Sequence, residues 1–288
     1  MLQLLVNGLV VGSIYALVAL GLLLIFNSVQ IVNFAQGQLL MFGAFIGITA
    51  AVQHDLPVGV AWLITIAAMA VLGVVFMAIV YYPLRGRPPF LVILTTIAIG
   101  IVMENLAIII WGPLPVSLPS PVAGPPLRFA GVVVSRHQLC VLAVTSVVLL
   151  AQWLFLTRTR FGVLMQATAQ DLTMARLVGI RVNRTITSAF VLGAVLAAIA
   201  GLLVAPMFLA EPTMGGILGL KGCVVSVVGG FGSLPGAVIG GLALGVIETF
   251  GARYISSDFR DAYAFVILIA MLGLWPRGLF GETSDERV

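Results

Sequence analysis

The sequence contains very little charge. Of its 288 residues, 8% are charged and 61% are hydrophobic, and the mean hydropathy is +1.20. A soluble domain carries about 25% charged residues, so this composition excludes an ordinary soluble globular protein. It indicates a polytopic membrane protein of the all-α class, and we expect residues 1–288 to form a single transmembrane domain.

Lysine, histidine and cysteine are almost absent. The only lysine is Lys221, followed by Gly222, so the P-loop sequence GxxxxGK[ST] does not occur and the chain has no ATP-binding P-loop of its own. His54 and His137 lie far apart in or beside loops, and the two cysteines lack metal-ligand spacing. We therefore predict no catalytic constellation, no metal site and no cofactor bound by this chain. An intramembrane enzyme would need a nucleophile–base or metal pattern that is missing.

Long apolar runs are abundant. A membrane-spanning helix needs about 20 mostly apolar residues. Runs of this kind occupy 4–26, 58–82, 90–111, 137–157, 185–210 and 262–280. A shorter run covers 33–52, and the glycine-rich region 213–251 is long enough for two crossings. We predict about eight to nine transmembrane helices, and the side on which the N-terminus lies depends on that number.

Arginine-bearing loops indicate the orientation of the chain. Arg85 and Arg87 mark one cytoplasmic loop, and the segment 158–184 marks a second, because it carries five of the fourteen basic residues. The proline-rich stretch 112–135 between them should lie outside. Topology alone explains these arginines, so the basic composition predicts no nucleic-acid partner.

The segment 158–184 also contains a helical pattern. Small and apolar residues recur at helical spacing, together with one acid, at Leu164, Thr168, Asp171, Ala175 and Val178. Gly179 follows at a position that suits a helix C-cap. We interpret the segment as a short helix on the cytoplasmic surface that docks a soluble partner. A solvated connector is the alternative, but it would not need a capped helix of small residues.

Three charged residues fall within apolar spans. A charge at mid-bilayer costs at least about 2.5–3.5 kcal/mol, so such residues usually face a cavity or a partner. Glu104, Lys221 and Glu248 can form a polar translocation path. Alternatively, Lys221 and Glu248 form a structural ion pair that locks the bundle, and Glu104 is merely interfacial.

A cluster of uncharged polar residues, Asn33, Gln36 and Gln38, precedes the apolar run 33–52, and Gly37 allows the chain to bend there. Irregular backbone at membrane depth is tolerated only against protein or a water-filled cavity, so the cluster is either part of a transport path or a short interfacial loop. A weaker echo, 231–236, precedes the next glycine-rich span. Paired interrupted spans are typical of transport sites.

Small residues recur at a spacing of four. The pairs and ladders are Gly8 with Gly12, Gly43 with Gly47, Gly232 with Gly236 and Gly240, and Gly241 with Gly245. Such faces let helices approach closely in lipid. We expect them to pack within one bundle rather than to form a dimer motif.

Four stretches of the chain resemble the inner-membrane permeases of bacterial branched-chain amino-acid ABC transporters, of the LivH type. They are Gly12–Gly21, Asn33–Gln38, Arg158–Gly162 with its continuation to Ile180, and Gly219–Gly222 with Val228–Gly241. The resemblance covers nearly the whole chain. It implies an ABC importer permease fold and alternating access driven by ATP, with ATP and magnesium used by a partner.

The resemblance also implies partners and residue roles. The partners would be a homologous second permease subunit (LivM-like), two cytoplasmic ABC ATPases and a periplasmic binding protein, in a multi-pass subunit of the bacterial inner membrane surrounded by lipid. The segment 158–184 would couple to the ATPases. The coupling positions are Arg160, Gly162, Asp171, Ala175, Arg176 and Gly179. The substrate path would include Asn33, Gln36, Gln38, Glu104, Asn105, Lys221 and Glu248.

The chain departs from the family pattern at two places. Relatives typically have histidine and glutamate where Gln36 and Gln38 stand, and often have glutamine where Glu104 precedes Asn105. We therefore predict a path that is less pH-sensitive than in relatives, carrying branched-chain amino acids by default. An ABC importer for urea, amides or aromatic acids is an alternative, as is an ion- or proton-coupled secondary transporter or channel for a small polar solute.

Overall fold

The protein is described by a computed structural model, which covers residues 1–122, 124–129, 132–275 and 278–280. The helices of these residues, in chain order, are α1 (Leu2–Val29), α2 (Gln36–Ile48), α3 (Val58–Phe76), α4 (Pro89–Trp111), α5 (Arg136–Arg158), α6 (Arg160–Gln170), α7 (Leu172–Leu177), α8 (Val182–Val204), α9 (Met214–Gly229), α10 (Leu234–Tyr254) and α11 (Arg260–Leu274). Short π-helical and 3₁₀ turns continue α2 to Gln53 and α3 to Leu84. A small antiparallel hairpin pairs β1 (Leu127–Phe129) with β2 (Val132–Val134). The prediction of a polytopic helical protein is confirmed.

In the described part of the chain, six helices are long and apolar enough to cross a membrane, namely α1, α3 with its continuation, α4, α5, α8 and α10. Helices α2, α9 and α11 are shorter, so eight to nine crossings stays a prediction. The predicted span 185–210 was wrong at its end, because α8 stops at Val204, just before the dipeptide Ala205–Pro206. The predicted span 262–280 was also too long, since α11 ends at Leu274, and residues 276–277 beyond it lie outside the described part.

Contacts between connections show which helix ends lie together. At one end, Gln3 Nε2 donates a hydrogen bond to the Val133 carbonyl (2.9 Å), and Val116 pairs with Ala210. The arginine-bearing loops lie at the other end, where Arg85 donates to Asn183 Oδ1. We call these the outer and the cytoplasmic ends, after the orientation that the arginines predict. The start of α1 therefore belongs to the outer end, together with the proline-rich loop.

Helix α1 is the central element of the bundle. Within its most apolar 18-residue window, 89% of the residues are buried, and it packs against α10, α8, α9 and α5. Glycines make the α1–α10 contact close: a Cβ added at Gly12 would lie 2.6 Å from the Gly241 carbonyl oxygen. Gly43 packs in the same way on Ala198 of α8. The small-residue repeats thus serve packing within the bundle, as predicted.

Candidate functional site

The polar cluster Asn33–Gln38 lies at a break between α1 and α2. Helix α1 ends at Val29, and its C-cap Gln30 is left-handed with φ 55°. Across the break the Phe34 N–H donates to Thr96 Oγ1 of α4 (3.2 Å) and the Ala35 N–H to Asn33 Oδ1 (3.1 Å). These bonds replace the helical bonds that the break interrupts and fix the start of α2 against α4.

The break lies inside the bundle, not at its surface. Gln36 is fully buried, and its Nε2 donates to the Gly193 carbonyl (2.9 Å), which is at the midpoint of α8. Gly37 is in close contact with Gly215 at the start of α9. The alternative of an interfacial loop is therefore wrong, because helix starts meet here deep among other helices.

Three amide atoms in this cluster have no hydrogen-bond partner among the residues that the structure describes. They are Asn33 Nδ2, Gln36 Oε1 and Gln38 Oε1, and all three are buried. A buried polar atom without a partner costs about 1–3 kcal/mol. Buried amide groups of this kind need a polar ligand or water as their partner.

Helix α4 carries the other two uncommon polar residues. A Cβ added at Gly100 would lie 3.5 Å from the Gln38 amide, so Gln38 rests on this point of α4. Glu104 stands one turn further along the same face and is half-buried. Asn105 is exposed and donates to the Ile101 carbonyl of its own helix (2.8 Å). The structure thus brings Gln38 and Glu104 to one face of α4, whereas Asn105 lies on the exposed surface of that helix.

Lys221 and Glu248 form an ion pair, with Nζ and Oε1 2.8 Å apart and both side chains buried. Three further residues complete the cluster. Tyr15 donates to Glu248 Oε2 (2.8 Å), Arg260 Nε lies 2.6 Å from Glu248 Oε1, and Lys221 Nζ lies 2.7 Å from Asp261 Oδ1. We call these five residues the charged cluster. It connects α1, α9, α10 and α11. This arrangement is expected if Lys221 and Glu248 form a structural ion pair that locks the bundle.

The charged cluster borders a cavity of about 200 Å³ at the outer half of the bundle. Tyr15, Lys221, Arg260 and Asp261 line it together with Glu211. The described contacts leave Lys221 with three oxygen partners, so its ammonium group has one acceptor for each of its three donors. The cavity wall is therefore largely apolar, and its one ammonium group is fully paired.

The two polar clusters lie on different faces of α9. Gly215 and Gly219 contact Gly37, whereas Lys221 points toward α1 and α10. The sequence analysis did not identify three residues of the charged cluster, Tyr15, Arg260 and Asp261. The pair Arg260–Asp261 just before an apolar run was the available signal, and Tyr15 lies in the resembling stretch Gly12–Gly21 without having been given a role.

The segment 158–184 forms two short helices, α6 and α7, instead of the single predicted helix. The pattern breaks at Asp171, whose backbone is extended (φ −153°, ψ 108°) and whose Oδ1 accepts the N–H groups of Thr173 (2.7 Å) and Met174 (3.0 Å). An aspartate at this position is an N-cap, and it starts a new helix. The single-helix prediction was therefore wrong at Asp171.

The predicted C-cap is present at the end of α7. Gly179 has φ +83°, its N–H donates to the Arg176 carbonyl (3.1 Å), and the Ile180 N–H donates to the Ala175 carbonyl (2.9 Å). This pair of bonds is the Schellman motif. Helix α7 is therefore capped at both ends although it has only six residues.

The remaining coupling positions have mixed surroundings. Gly162 is buried in close contact with the backbone of Leu156, so α6 folds tightly back on α5. Ala175 lies on the buried side of α7, whereas Arg160 and Arg176 are exposed. Arg176 faces a cytoplasmic cleft that it shares with Arg85, Arg181, Asn183 and Arg184.

Comparison with known proteins identifies the family. Residues 4–273 match the family described as the branched-chain amino acid transport system permease component. The chain belongs to this family. The permease is 35% identical over its full length to the high-affinity branched-chain amino acid transport system permease protein BraD of Pseudomonas aeruginosa, of which it covers 98%. It is 32% identical to the permease protein LivH of Escherichia coli, covering 97% of that chain.

A solved structure resembles this permease in fold. The PsaBC complex from Streptococcus pneumoniae aligns with a TM-score of 0.51 at 12% identity, covering 96% of the permease and 92% of that chain. This similarity bears on the fold alone. Together with the full-length relatives, it confirms the resemblance seen in the sequence and gives the alternative of a carrier acting alone no support.

Proposed function

We propose that this permease is the transmembrane subunit of an ABC importer for branched-chain amino acids in a bacterial inner membrane. The full-length similarity to BraD and LivH supports that substrate class. The importer would also contain a homologous second permease (LivM-like), two ATPases that use ATP and magnesium, and a periplasmic binding protein. The permease binds no cofactor itself, and its role is to change access as the ATPases close.

The surface of α7 carries this proposal. Met174, Leu177 and Val178 are 60%, 75% and 74% exposed at the cytoplasmic end, where water rather than lipid would surround them. A cluster of exposed apolar side chains at a water-facing site indicates a protein interface. The caps at Asp171 and Gly179 hold the short helix rigid, so that a push on it is transmitted to α6 and α8.

The buried amides at the α1–α2 break support the transport path. Three atoms there have no partner within the described part of the chain, and the adjacent α4 continues this polar surface through Glu104. Asn105, exposed on a helix at membrane depth, is costly against lipid and is explained if the second permease covers this face. We propose that the path runs along α4 beside Gln38 and Glu104. Lys221 and Glu248 hold the bundle together next to this path.

The proposal is tested by measuring whether the ATPases dock on α7. In the complete transporter, Leu177→Asp should prevent co-purification of the ATPases and abolish ATP-driven leucine uptake, because a carboxylate replaces an apolar contact. Ile255→Asp is the matched control, since Ile255 is equally exposed (76%) but lies beside the outer end of α10. Normal assembly and uptake in Leu177→Asp would refute the docking role.

The substrate is tested in the same preparation. Uptake of leucine, isoleucine and valine should compete with one another, and urea, amides and aromatic acids should not compete. If only one of those solutes competed, the proposal of an importer would stand, but the proposed substrate class would be wrong.

A further inference from the structure

A large groove between α5 and α10 takes no part in the function proposed above. It has a volume of about 510 Å³. Leu20 of the central helix α1 forms its floor, Leu149 and Trp153 of α5 form one wall, and Val238 and Ile239 of α10 form the other. Since α5 and α10 are both apolar enough to span a membrane, the groove lies at membrane depth and offers an almost wholly apolar surface.

One polar side chain interrupts this surface. Gln152 lines the groove, and both atoms of its amide group, Oε1 and Nε2, are buried without any hydrogen-bond partner among the described residues. An acyl chain alone leaves this amide unsatisfied, at a cost of about 1–3 kcal/mol. The occupant should therefore carry a hydrogen-bonding group beside its apolar part.

The cytoplasmic mouth of the groove is polar, and two arginines follow it in the chain. Thr157 and Gln166 line it, and the next residues along the chain include Arg158 and Arg160, both exposed. Neither arginine forms an ion pair with a carboxylate of the described residues. Basic sites at the cytoplasmic side of transmembrane helices attract anionic lipid headgroups.

We propose that the groove binds an anionic glycerophospholipid. Gln152 precedes Arg158 by six residues, which is about 9 Å along a helix at 1.5 Å per residue. With the phosphate beside Arg158 and Arg160, the glycerol ester carbonyls reach the depth of Gln152, and one acyl chain continues over Leu20 between the two walls. When the Gln152 side chain turns toward the groove, its amide Nε2 donates to an ester carbonyl. Because Gln166 belongs to α6, the lipid contacts the segment that we propose couples to the ATPases, although the lipid site itself does not depend on the transported solute.

Trp153 provides a direct readout, because it lines the groove. The assembled transporter is reconstituted in phosphatidylcholine containing a small fraction of lipid with brominated acyl chains, and the quenching that disappears in Trp153→Phe is assigned to Trp153. Brominated phosphatidylglycerol should quench this signal at a several-fold lower mole fraction than brominated phosphatidylcholine. Each arginine near a headgroup contributes about a five-fold preference, so Arg158→Gln should lower the preference by about that factor.

Two matched variants separate the groove from general attraction of anionic lipid. Arg184→Gln removes a cytoplasmic charge that is away from the groove, in the cleft beside Arg85, and should leave the preference unchanged. Val238→Phe fills the groove and should reduce quenching by either lipid, whereas Val147→Phe, on an exposed position of α5, should not. Equal quenching by both lipids in the unmodified transporter overturns the proposal. So does the absence of quenching by either lipid, which would mean that a protein subunit covers the groove.

Discussion

Removing the carboxylate of Glu248 should destabilise the bundle more than any other change in the charged cluster. Glu248 is fully buried and receives three partners: Tyr15 at 2.8 Å, Lys221 at 2.8 Å and Arg260 at 2.6 Å. The variant Glu248→Gln leaves the cations Lys221 and Arg260 without their shared counter-charge. Breaking a buried ion pair by removing one partner costs about 3–5 kcal/mol.

The other members of the cluster set a scale for this loss. Asp261 is 57% exposed, so Asp261→Asn should cost at most about 1 kcal/mol because solvent screens its pair with Lys221. Lys221→Met should fall between the two, since Glu248 keeps two of its partners. Replacing both members, as Lys221→Met with Glu248→Leu, should recover much of the loss, because an apolar pair of similar volume is often neutral.

Thermal unfolding of the purified permease measures this series. Cys140 and Cys223 are free and partly buried, so a thiol-reactive fluorophore reports unfolding without any introduced cysteine. A loss of about 3–5 kcal/mol should lower the midpoint by about 6–20 °C. A Glu248→Gln permease that unfolds like the unmodified protein, yet no longer transports, would refute the structural role and place Glu248 on the path.

Three further predictions concern packing, pH and coupling. Gly12→Ala should cost about 1–3 kcal/mol of stability, because its Cβ meets the α10 backbone, whereas Gly273→Ala, with open space around it, should be neutral; equal midpoints in an unfolding assay would contradict the glycine packing. Leucine uptake between pH 5.5 and 8 should vary more in Gln36→His/Gln38→Glu than in the unmodified permease, since the change adds titratable groups, and identical profiles would sink this hypothesis. Asp171→Ala should reduce ATP-driven uptake through loss of the cap, worth about 0.5–2 kcal/mol, while Asp171→Asn should keep it; equal uptake in both variants would show that the cap is dispensable.

The helices and their order could be predicted from the sequence because the apolar runs are long and the polar breaks are short. The predicted helix boundaries were wrong where a local backbone preference competes with hydropathy. The residues before Pro206 end α8 although apolar sequence continues, and Asp171 caps a new helix although the periodic pattern runs through it. Both signals were present in the sequence but were weaker than the pattern around them.

The partners of the buried charges could be predicted only in part. The pairing of Lys221 with Glu248 follows from the cost of a lone charge in lipid, since each needs an opposite charge. Tyr15 and Arg260 join them because α1 and α11 happen to pack at that depth, which is a property of the three-dimensional arrangement. The unpartnered amide of Gln152 was equally invisible, because a glutamine in an apolar run reveals its lack of partners only once the neighbouring helices are in place.

Uptake in proteoliposomes tests the central claim most directly. The permease is reconstituted with its second permease subunit and the ATPases, with ATP and magnesium at the cytoplasmic face and binding protein loaded with leucine at the other. The account predicts that leucine accumulates only when the ATPases, ATP and binding protein are all present, and that accumulation stops in Leu177→Asp. Accumulation of a small polar solute by the permease alone, driven by an ion or proton gradient, would contradict it.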